Sequence, residues 1–236
     1  MKLIHVKQAR CVWLIDLQDL NPKGKDVIGD IVPWLKEAYN FAVAPDLDKI
    51  LSSGTKPPTA QDPATALPSA GLAFQRGSFQ VREDSFVEIT SFTIYNDGVV
   101  VDTTSSTQDG DLFLSDVLQS AAKEFGLTYE SELIRRKMYL STLVVRSDVS
   151  LSAAHQGLAA WAEKIAPLVG NGSPPFKFAG LAFWTEPNDG GVHRSFSFLP
   201  QAGKSFSERR FFSEAPLRTE DHYRLLEELE QVLQKV

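Results

Sequence analysis

The sequence predicts an α+β fold: a mixed, mainly antiparallel sheet with about four helices packed on it. Three observations carry this expectation. Strand-like stretches are plentiful, with Phe86 to Tyr95 rich in β-formers and Ser195-Phe196-Ser197-Phe198 alternating with period two. Asn96-Asp97-Gly98 is a hairpin signal that joins strands directly. Helical stripes interrupt the strands only at intervals, which argues against a doubly wound parallel sheet.

The elements follow in order. Residues 1–20 read as extended, with Val12-Trp13-Leu14-Ile15 as the apolar centre and Asn21-Pro22-Lys23-Gly24 as a turn. A helix is expected near 30–40, capped by Asp30 with Pro33 in its first turn. Strands are expected over 70–103. A helix over 112–125 has Asp111 as its cap, Leu114, Val117, Leu118, Ala121 and Phe125 on one face, and Gly126 as its stop. A strand from Met138 to Val145 precedes a helix near 152–166, and strands follow at 178–185, 193–199 and 208–213. The last helix starts at Thr219, where Glu220 and Asp221 suit the positive end of the helix dipole. Gly71-Leu72-Ala73-Phe74 matches Gly180-Leu181-Ala182-Phe183, and each opens a run of strands ending in a helix, a hint of weak internal duplication.

Length and composition bound the class. A chain of 236 residues, 43% apolar and 23% charged, suits one large domain or two small ones. The expected organisation is a strand–helix segment over 1–50, a tether over 51–69 and a main α+β domain over 70–236. The tether reading rests on Pro57, Pro58, Pro63 and Pro68 among small polar residues. Net charge is −6, which disfavours nucleic acid as a partner unless a local basic patch exists. The single cysteine, Cys11, excludes an intramolecular disulfide and cysteine-rich zinc sites. No signal-peptide core or membrane-length apolar run is present, so the expected compartment is the cytoplasm, without membrane association.

Gly203-Lys204-Ser205 resembles the end of a phosphate-binding loop, but Phe198 occupies the first glycine position and extended sequence follows. Residues 83–116 carry eight acids and no Lys or Arg. Asp102, Asp109 and Asp111 flank a hydroxyl-rich run, and Asp16 and Asp19 close the first strand, so these five are the candidate ligands for a divalent cation. Glu186 and Asp189 end another strand, where meeting carboxylates would make an acidic enzyme site. Local turn and capping roles are the simpler reading, and no cofactor is expected. His193 to Phe212 interleaves basic residues with phenylalanines; Arg194, Lys204, Arg209, Arg210 and Phe206 are its candidate binding residues. Cys11 is expected to be a small buried hydrophobe, and His222 to be exposed at a helix start.

No intact catalytic signature emerges. The favoured function is therefore a non-catalytic protein-binding or assembly component acting through its surface, on a protein partner or on a second copy of itself. A hydrolase or transferase with a composite acidic site is one alternative. A nucleic-acid-binding module using 193–212 is the other.

Overall fold

The computed structural model describes residues 1–48, 71–149, 151, 156–169, 174–186 and 195–235. The stretch expected to be a tether lies outside them, as do His193, Arg194 and Asp189. The fold is α+β, and contacts gather the chain into two units, Gln8–Tyr139 and Met1–Lys7 with Leu140–Val236.

The first unit takes the later residues of β1 (Lys2–Leu14), whose alternation buries Ala9, Cys11 and Trp13. Asp16 caps the short α1 (Leu17–Leu20) by accepting from the Gln18 N–H. Helix α2 (Ile28–Ala38) starts from Val27 and not from Asp30, which lies in its first turn, and Pro33 falls inside it. Strands β2 (Leu72–Arg82), β3 (Ser85–Tyr95) and β4 (Gly98–Thr103) form an antiparallel meander in the order β2-β3-β4-β1. Helix α3 (Thr107–Phe125) begins earlier than its sequence stripe suggested. Ser106 is the cap, its Oγ accepting from the Asp109 N–H at 3.1 Å, and Asp111 sits inside the helix. Gly126 ends α3 at φ +61°, the left-handed geometry that glycine adopts without strain. The core is aromatic: Phe113 of α3 meets Phe92 at 5.2 Å and Tyr39 at 5.1 Å, both edge-on.

In the second unit, β5 (Arg136–Arg146) contributes from Leu140 onward. The helix expected near 152–166 is described as α4 (Gln156–Ala162), followed by α5 (Ala166–Val169). Strands β6 (Leu181–Trp184), β7 (Ser195–Pro200) and β8 (Arg210–Ala215) form a second meander in the order β5-β8-β7-β6. Phe198 and Phe211 stack across it at 4.3 Å. Helix α6 (Thr219–Gln234) follows, with its acidic first turn as expected.

Among the described residues, each unit thus runs strand, two helices, three-strand meander, long helix. The correspondence is residue-exact at the meander's end: 98 to 210, 103 to 215 and 107 to 219, a constant shift of 112. Thr107, Gly110, Leu114 and Leu118 are buried on α3, and Thr219, His222, Leu226 and Glu230 are buried on α6, at the same shift. The Gly-Leu-Ala-Phe match opens the equivalent strands β2 and β6.

Candidate functional site

The five candidate metal ligands are each held by partners within the first unit. Asp16 and Asp19 share the Arg135 guanidinium at 3.3 and 3.2 Å, in exposed pairs worth little stability. Asp102 takes a bidentate grip from Arg10, with Nε and Nη2 both at 2.8 Å, and further donors from Gln8 and Ser91. Burial alone would raise its pKa, but these donors hold the carboxyl below its ordinary value. Asp109 accepts from the Ser105 and Ser106 hydroxyls at the start of α3. Asp111 accepts from Trp13 Nε1 at 2.8 Å and from the Tyr139 hydroxyl at 2.9 Å. Among the described residues, no three His, Cys, Asp or Glu side chains group as a metal site would need. Asp189 is not described, and Glu186 belongs to the second unit.

The basic–aromatic strip lies in the second unit. Ser205 caps a turn at Phe206–Glu208, and Lys204 pairs with Glu208 at 3.6 Å, so the phosphate-loop likeness ends in a local capping box. Phe206 is exposed. Arg209 donates to the Asp148 carbonyl, and Arg210 opens β8 directly opposite Arg146 of β5. Among the described residues, neither Arg146 nor Arg210 has an ion pair, and Arg210 Nε is buried without a hydrogen-bond partner. In β7, Phe196 and Phe198 pack on the core as the period-two reading implied.

Two features escaped the sequence reading. The first is a Ser–His–Ser chain inside the second unit. Ser141 Oγ lies 2.7 Å from His222 Nδ1 and Ser213 Oγ lies 2.9 Å from Nε2. Ser213 spends its own proton on the Ser197 carbonyl at 2.7 Å, so Nε2 carries the ring proton and Nδ1 accepts from Ser141. All three side chains are fully buried, which corrects the expectation of an exposed His222. Burial pushes the imidazole down to about 4 against a smaller opposing contribution from the Ser141 backbone. A neutral, water-excluded imidazole between two serines, neither reachable by substrate, serves packing and not acyl transfer.

The second feature is apolar exposure concentrated on the second unit. On β6, Phe183 is 59% and Trp184 71% exposed. On α4 and α5, Trp161, Leu168 and Val169 are also exposed. Among the described residues, strand β6 ends the order of its unit and pairs with β7 alone, from Leu181↔Phe198 to Trp184↔Ser195. Its four residues, Leu181-Ala182-Phe183-Trp184, contain no charge and no proline, the usual guards of an open edge.

The chain matches no known family model and no curated protein. No described helix is long and apolar enough to cross a membrane.

Proposed function

We propose that this chain is a non-catalytic binding component that takes up an extended segment of a partner protein along the β6 edge. The observation that supports it is the place of β6 at the end of its strand order among the described residues, with Phe183 and Trp184 exposed on it. An added strand would satisfy the edge N–H and C=O groups, giving affinity, while the exposed aromatics supply the anchors that hot spots favour. The partner is a second copy of the chain or another protein of matching extended sequence.

The test combines light scattering across a concentration series with amide hydrogen exchange. Self-association gives a mass of twice 26.1 kDa with slowed exchange over 181–184. A different partner gives the same protection only in its presence. Trp184→Lys, which places on the edge the charge that natural sheets use as a guard, removes both effects and leaves the fold intact. Protection elsewhere with 181–184 unchanged, or binding undiminished in the lysine variant, would refute the assignment.

A further inference from the structure

We propose that the first unit also carries a binding site for a small hydrocarbon molecule with at most one uncharged polar end. The site is a cavity of about 340 Å³ between α2, α3 and the β2-β3-β4 face. It is independent of the β6 edge, which belongs to the other unit.

Helical spacing makes two of its walls. Ile28, Ile31 and Leu35 recur at i, i+3 and i+7 on α2, and Val117 and Ala121 stand one turn apart on α3, all facing the cavity. The sheet supplies the floor through Leu72, Phe92 and Val99. Phe92 has one side in the aromatic cluster and lines the cavity with another, so the void begins where close packing stops. Such walls lose dispersion contacts to empty space, and water inside them lacks the polar partners that hold buried water. A hydrocarbon replaces both losses with contact.

The polar groups set the other end of the ligand. Lys25 Nζ is already donating to the Phe125 and Gly126 carbonyls at 2.9 and 2.8 Å, where it caps the end of α3. Asn21 spends its amide on the Lys25 backbone in both directions. Asp16 is engaged by Arg135 and the Gln18 N–H. An anionic end would have to displace one of these pairs, and a cationic end would meet the exposed Asp26 in a solvent-screened pair that adds little, whereas a hydroxyl needs no ionic partner. With roughly 30 Å³ for each water-sized volume, the cavity holds about eleven non-hydrogen atoms, the size of decanol.

The experiment uses the full chain and the fluorescent probe N-phenyl-1-naphthylamine, displaced by an alcohol series from hexanol to tetradecanol. Saturable probe binding, with displacement strongest near decanol, is expected. Ala121→Phe, which fills the cavity, is expected to weaken binding at least tenfold with an unchanged or raised melting temperature, while Trp184→Lys leaves it unchanged. If Ala121→Phe does not fold, transfer of magnetisation from decanol to the methyls of Ile94 and Val99 in the native chain decides the matter. Absence of saturable binding, equal binding by folded Ala121→Phe, loss in Trp184→Lys, or no transfer to those methyls would overturn the site. Tighter binding of decanoate or decylamine would overturn the uncharged class of ligand.

Discussion

Lowering the pH from about 7.5 to about 5 tests the buried histidine of the second unit. The imidazole of His222 is in contact with two serine hydroxyls and the Phe196 ring at 5.9 Å, and none of these carries charge to offset an imidazolium. In the unfolded chain it titrates near 6.5, and in the folded chain it is pushed down to about 4. Between those values the unfolded chain binds a proton that the folded chain refuses. Stability from this group is therefore complete above pH 6.5, falls as pH drops, and is fully lost below pH 4. At about 1.4 kcal/mol per unit the total is about 3 kcal/mol, of which about 2 kcal/mol is lost by pH 5. Stopping near pH 5 keeps the paired carboxylates Asp102 and Glu230, both held below their ordinary values, from protonating and confusing the result. Urea unfolding of the wild type and of His222→Gln at both pH values isolates the effect, because every other side chain is common to the two proteins. The wild type should lose about 2 kcal/mol more than the variant, or roughly 4–8 °C in melting temperature. Equal losses in the two proteins would show that the imidazole is not held neutral in a closed core.

Two further outcomes follow from close contacts. A Cβ built on Gly110 would lie 2.7 Å from Cys11 Sγ, so Gly110→Ala should cost roughly 1–3 kcal/mol. Adding Cys11→Ala should recover part of that cost, and additive single and double variants in urea unfolding would contradict the contact. Arg146 and Arg210 face each other across β5 and β8 as like charges, so Arg146→Ser should be neutral or stabilising by up to about 1 kcal/mol in low salt. That gain should fade in about 1 M salt, and a loss of stability at low salt would argue that the pair has another role.

Much of the fold was legible because local chemistry and tertiary packing agree. Asn96-Asp97-Gly98 joins β3 to β4, Gly126 ends α3, and Thr219 begins α6, each from turn or cap residues that act within a few positions. The start of α3 was misplaced because Asp111 precedes the apolar stripe. The capping residue lies five positions earlier, at Ser106, with Asp109 three residues after it. His222 was misread for a different reason. Its helix position says exposure, but its partners Ser141 and Ser213 lie 81 and 9 residues away and meet it only through the register of β5 on β8. Asp16 and Asp109 meet donors within four positions, whereas the Arg10 grip on Asp102 depends on the pairing of β1 with β4, which no local spacing shows. The cavity had no sequence signal, since a gap between a helix and a sheet leaves the same apolar stripe that a filled core would.

The opening strand is divided between the units, and this bears on how the chain is made. Once Tyr139 has left the ribosome, the stretch from Gln8 is whole and can close its aromatic core. Met1–Lys7 emerges before that stretch, yet its own unit is completed only after β8 and α6 have been synthesised. Residues translated ahead of the first unit thus wait for a unit that closes after it.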